Sequence, residues 1–131
     1  TNLQERWMDL RLEVSERGEW SIVEVGGEVD VATAPRLREQ LIALVNDQRY
    51  HLVVSLEAVD FIDSTGLGVL ISGLKRVRTH GGRFSLVCTE PRILKVFEIT
   101  GLLAVFNVCE TIEAAIAPED EDEALTDEVA Q

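Results

Sequence analysis

The sequence predicts an α/β domain: a mixed, mostly parallel sheet of four to five strands with about four helices and an N-terminal antiparallel strand or hairpin. Three observations carry that prediction. Strand-like and helix-like runs alternate after Gly27, the pattern of a parallel sheet with right-handed crossovers. The run at residues 52–56 (Leu-Val-Val-Ser-Leu) is almost continuously apolar, as a central strand buried on both faces requires. Two strand-like runs at the start are joined only by the turn Glu16-Arg17-Gly18-Glu19, short enough for a hairpin.

Each element has a local cause. Residues 10–14 alternate apolar and polar, a half-buried strand. Residues 20–25 continue with strand character and end at Gly26-Gly27. Residues 28–30 then lead through Val31-Ala32 to Thr33, with room for a short third strand. Thr33 is the expected N-cap of a first helix, with Pro35 in its first turn, and Leu37, Leu41, Leu44 and Val45 mark the buried face. The strand at 52–56 follows, then a connection at 57–62 and a helix from Ser64 to Val77 that stops at His80-Gly81-Gly82. Residues 84–88 read as a strand. Glu90 and Pro91 open a helix that closes at Thr100-Gly101. Residues 103–108 form the last strand, and residues 110–117 a final helix that starts near Glu110 or Thr111.

Composition narrows the function classes. A chain of 131 residues with 46% apolar content supports one domain with a real core. Residues 1–8 read as an N-terminal extension. Of the net charge of −12, seven units lie in the segment from Pro118, which has seven acids and no base, leaving −5 on the rest. Residues 118–131 are therefore expected to be a disordered acidic tail. The body has no basic patch for nucleic acid, so a protein partner with a basic contact surface is the better expectation. No apolar run approaches the ~20 residues needed to span a bilayer and no signal-peptide pattern opens the chain, which points to the cytoplasm. Cys88 and Cys109 each end a strand-like run and fit no zinc spacing; reduced, packed thiols are expected.

The segment Asp63-Ser64-Thr65-Gly66-Leu67-Gly68-Val69-Leu70 concentrates the chemistry. Asp, Ser and Thr at the start of a helix supply N-cap oxygens, and that role alone would explain them. The glycines say more. Gly66, Gly68 and Gly73 lie inside the helix, where each costs about 0.8–1 kcal/mol relative to Ala. At ~100° per residue, Leu67, Leu70, Ile71, Leu74 and Val77 gather on a core face. Ser64, Gly68, Val69, Ser72, Gly73 and Arg76 fall opposite. The outward side therefore reads as a small, uncharged docking face with one exposed apolar residue, Val69, and a hydroxyl at its edge.

These residues carry a resemblance. Gly27-Glu28-Val29-Asp30, then Thr33-Ala34, the Asp63-to-Gly68 element and Ile99-Thr100-Gly101-Leu102 closely resemble the STAS domains of bacterial anti-sigma-factor antagonists (anti-anti-sigma factors), and most of all actinobacterial members. The similarity covers residues 9–117. It implies a STAS fold and a partner-switching phosphoprotein in sigma-factor and so transcription regulation. In this family the unphosphorylated antagonist binds an anti-sigma factor of the GHKL serine-kinase type and frees the sigma factor. The kinase phosphorylates the serine after the aspartate, here Ser64, and a serine phosphatase reverses it. The resemblance implies no catalysis by the chain itself and no cofactor or metal. Contact with the partner is expected from Glu28, Asp30, Asp63, Thr65, Gly66, Gly68, Val69, Ser72 and Gly73.

Three other readings compete. A serine hydrolase is disfavoured because Ile62 stands where a Gly-x-Ser-x-Gly elbow needs its first glycine, and neither His51 nor His80 is placed to activate Ser64. A receiver-like aspartyl switch at Asp63 lacks an evident acidic pair and lysine. A regulatory or scaffold STAS domain without a kinase cycle remains the alternative.

Overall fold

The computed structural model describes residues 9–118; the predicted N-terminal extension and all but the first residue of the acidic tail lie outside that range. Strands β1 (Leu10–Arg17), β2 (Trp20–Val29), β3 (His51–Ile62), β4 (Arg83–Val87) and β5 (Asn107–Cys109) form one sheet in chain order. Only β1–β2 is antiparallel; the other three pairings are parallel. The helices are α1 (Ala34–Asn46), α2 (Ser64–Thr79), α3 (Pro91–Ile99) and α4 (Ile112–Ala115), with a 3₁₀ turn at Leu102–Ala104 before β5. The expected mixed sheet, hairpin and four helices are all present.

Period-two alternation sorts the side chains into two layers. Val23, Leu52, Val54 and Leu86 join Leu37 and Leu41 of α1, Leu70 and Val77 of α2, and Ile93 and Phe97 of α3 in the main core. Ile22, Val53 and Val87 point the other way and meet Ala115 of α4 with Trp20. The two cysteines follow the same rule. Cys88 donates its backbone N–H to the carbonyl of Cys109, yet Cys88 packs in the main core and Cys109 against the α4 layer. Both are free thiols, on opposite faces of the sheet.

Four expectations are corrected. Residues 57–62 are not a connection: β3 runs on to Ile62, because β2 continues through Gly26-Gly27 to Val29 and offers partners, Gly26 for Ala58 and Glu28 for Phe61. Residues 28–32 are accordingly no separate strand. The pairing shifts register on both sides of this stretch, and Gly27 takes φ +93°, where an added Cβ would run into the carbonyl of Asp9. The last strand is shorter than residues 103–108, since Gly101 at φ +77° turns the chain into the 3₁₀ segment first. Thr33 stands at the N-cap of α1 without capping it; its hydroxyl accepts from Asp30 N and donates to Glu28 O.

Candidate functional site

Strands β2 and β3 end side by side, and the loops that leave them build the site at the carboxyl edge of the sheet, where open α/β sheets place their functional loops. The Asp63 N–H donates to Val29 O at 3.1 Å, tying the start of α2 to the end of β2. Asp63 has extended backbone, and its carboxylate accepts from Thr65 N at 2.9 Å and Gly66 N at 3.1 Å, a side-chain N-cap. Gly66 lets this first turn press on the sheet: a Cβ there would lie 2.7 Å from Val29 Cγ1 and 2.8 Å from Ile62 Cγ1.

Ser64 and Thr65 are both exposed. Among the described residues no hydrogen bond engages either hydroxyl. Asp63 already holds two of the N–H groups of the first turn, those of Thr65 and Gly66. Ser64 is exposed beside this carboxylate, at the positive end of the helix dipole. The surroundings are acidic: Asp63 adjoins it, Asp60 is exposed nearby in the chain, and α2 carries no base before Lys75. His51 opens β3 and His80 follows the end of α2, which puts both at the far end of those elements from Ser64.

The structure moves several predicted contact residues. Val69 is 8% exposed, and Gly66 and Gly73 are buried as well. The buried arc of α2 runs from Val69 through Gly73, Gly66, Val77, Leu70 and Leu74 to Leu67, about 60° round from the arc that apolar spacing gives. The cause is a second neighbour. Besides the sheet, α2 packs against α1, and the missing side chain of Gly73 makes room for Leu41 of α1 and Phe84 of β4. Ile71, assigned to the core, is only half-buried at the rim of the outward face. Asp30 is 5% exposed, its carboxylate turned into its own loop to accept from Ala32 N and Thr33 N. Of the predicted contact set, Thr65 and Gly68 stay exposed, while Glu28, Asp63 and Ser72 stay partly so.

Gly68 is the telling one. Nothing lies within 4 Å of where its Cβ would be. The bare stripe is therefore Ser64, Thr65, Gly68 and Ser72, flanked by Ile71. Two exposed apolar residues at the same end of the sheet were missed: Val31, 70% exposed in the loop after β2, and Phe61, 47% exposed near the end of β3. The signal for Val31 was an apolar side chain in a polar loop with no periodic partner. That for Phe61 was hidden by taking its strand for a loop.

The STAS domain family matches residues 11–115. The anti-sigma-B factor antagonist of Bacillus subtilis is 34% identical over 109 residues, 83% of this chain and 99% of that protein. Its namesake in Staphylococcus aureus is 37% identical over 106 residues, 81% of this chain and 98% of that one. An anti-sigma factor antagonist from Mycobacterium paratuberculosis superposes with a TM-score of 0.75 at 32% identity, covering 82% of this chain and 91% of that one. The Bacillus cell fate determinant SpoIIAA, solved in its phosphorylated form, superposes at 0.63 with 25% identity, covering 82% of this chain and 96% of that one. The chain belongs to the STAS domain family, among its anti-sigma factor antagonists.

Proposed function

We propose that this chain is a cytoplasmic anti-sigma-factor antagonist that docks, through the outward stripe of α2, on an anti-sigma factor of the GHKL serine-kinase type. It is shut out by phosphorylation of Ser64 and restored by a serine phosphatase. The observation that carries the reading is an exposed, unbonded hydroxyl on the first residue of a helix whose next outward position, Gly68, is bare for no reason internal to the fold. Ser64 rather than Thr65 is chosen because it directly follows the aspartate of the Asp-Ser-Thr-Gly-Leu-Gly element.

Phosphorylation adds about −1.5 to −2 charges beside Asp63. The fold tolerates them, since the group stands in water at the positive end of a helix. The interface does not: seating a phosphoryl group against a partner that holds its own nucleotide phosphates costs several kcal/mol in repulsion and desolvation. The chain itself acts by binding, with no catalytic step.

The test is phosphosite mapping after incubation with the cognate kinase and ATP, alongside calorimetry with kinase and ADP. Phosphate is expected on Ser64 alone. Ser64→Ala should bind like the wild type and resist inactivation, and Ser64→Asp should bind weakly. Equal affinity of Ser64→Asp and wild type, or phosphate on another residue, contradicts the proposal.

A further inference from the structure

We infer that the partner seated on α2 carries an acidic segment that lies against Lys75 and Arg76, about three helical turns beyond the phosphoacceptor; this rests on the docking face proposed above and names the partner chemistry that fits its far end. The outward stripe of α2 changes character along its length. It is neutral through Ser64, Thr65, Gly68 and Ser72, then opens into a groove of about 410 Å³ whose far end is lined by Lys75, Arg76 and Thr79. Ile71 and the bare Gly68 floor its near half.

Like Arg11, Arg38 and Arg78, the two cations have no acid partner among the described residues, while five others do. Arg17 pairs with Glu113, Arg49 with Glu16, Arg83 with Glu19, Arg92 with Glu90 and Lys95 with Glu98. Among the described residues no acid pairs with Lys75 or Arg76, although acids outnumber bases in the chain two to one, 24 against 12. The helix dipole accounts for a base in the last turn, but Arg78 would serve that need from outside this groove. What the dipole leaves unexplained is a paired ammonium and guanidinium bordering an open hollow continuous with the Ser64 stripe. Carboxylates are the complement of such a pair, so this end of the face departs from the basic contact surface that the chain's overall charge led us to expect of the partner. At 1.5 Å rise per residue, Lys75 stands about 16 Å along the helix from Ser64. The partner must therefore hold its phosphate-bearing site and its acidic segment about that far apart, with a small apolar side chain over Gly68 and Ile71 between them.

The test compares wild type, Lys75→Glu/Arg76→Glu and Ser64→Asp in calorimetry against the purified cognate anti-sigma factor with ADP, at ~50 and ~300 mM salt. Both altered residues are at least partly exposed, so the protein should still fold cooperatively, with the urea midpoint lowered only by the lost dipole interaction. The charge reversal is expected to weaken binding about tenfold or more at low salt and to flatten the salt dependence seen in the wild type. Affinity and salt dependence like the wild type's overturn the inference. If Ser64→Asp is weak and the charge reversal is neutral, the docking reading stands and the acidic segment falls. If the reverse holds, the acidic segment stands and the Ser64 switch falls. A chain dimer in sedimentation that the charge reversal dissolves makes the occupant a second copy, which also overturns it.

Discussion

Replacing Gly68 with alanine should make the protein more stable and worse at its job. In a helix interior Gly is about 0.8–1 kcal/mol less favourable than Ala. At Gly68 nothing offsets that gain, because no atom lies within 4 Å of the new methyl. Gly68→Ala should therefore raise the unfolding free energy by about 0.8–1 kcal/mol, with the urea slope unchanged and the thermal midpoint up by about 4 °C. The same methyl stands in the stripe proposed to meet the partner, and overfilling a packed contact costs about 1–3 kcal/mol, which is a 5- to 150-fold loss of affinity. Gly66→Ala is the internal control. Its methyl would meet Val29 Cγ1 at 2.7 Å and Ile62 Cγ1 at 2.8 Å, both buried, so the clash should outweigh the helical gain and lower stability. Urea unfolding followed by circular dichroism, with calorimetry against the anti-sigma factor, reads both signs. A Gly68→Ala protein that is less stable than wild type, or that binds equally well, refutes the reasoning.

Three further outcomes are expected. Asp63→Ala should cost about 1 kcal/mol in urea unfolding, since Thr65 N and Gly66 N lose their acceptor, while Asp63→Asn should stay close to wild type. Gly27→Ala should be the most damaging of the glycine changes, because it sets a side chain at φ +93° against the carbonyl of Asp9; a soluble, cooperatively folded variant of wild-type stability contradicts the described β1–β2 pairing. Burial pushes the thiols of Cys88 and Cys109 above the ordinary thiol value. The unfolded chain then sheds those protons first, so this contribution is fully present below the unfolded pKa and is lost as pH rises from about 8.5. The urea midpoint should fall on that alkaline limb, less steeply in Cys88→Ala, and an identical slope in the two proteins rejects the assignment.

The order of elements was legible because most of it is local. Apolar runs at 52–56 and 84–88, the proline-led helices and the glycine stops act within a few residues; Asp63 and Glu90 cap where the sequence starts those helices, and Thr111 takes the cap left open between it and Glu110. What misled was non-local. Periodicity within α2 can register one buried face but not the flank pressed against α1, so Val69 and Gly73 were placed outward and Ile71 inward. Residues 57–62 look like a polar loop because Glu57 and Asp60 are exposed; only the pairing with β2 makes them strand. Asp30 reads as a surface acid until the Ala32 and Thr33 amides are seen to occupy it. The position of the hydroxyl was readable, whereas the width of the face around it depended on contacts distant in sequence.

The most direct measurement is the affinity of one anti-sigma factor, with ADP, for this chain before and after enzymatic phosphorylation at Ser64, with amide spectra of both forms. Affinity should fall at least a hundredfold, about 2.7 kcal/mol, while spectral changes stay confined to the first turns of α2 and the adjoining loops. Equal affinity of the two forms, or a spectrum altered throughout the sheet, contradicts a switch that works by closing a surface on an unchanged fold.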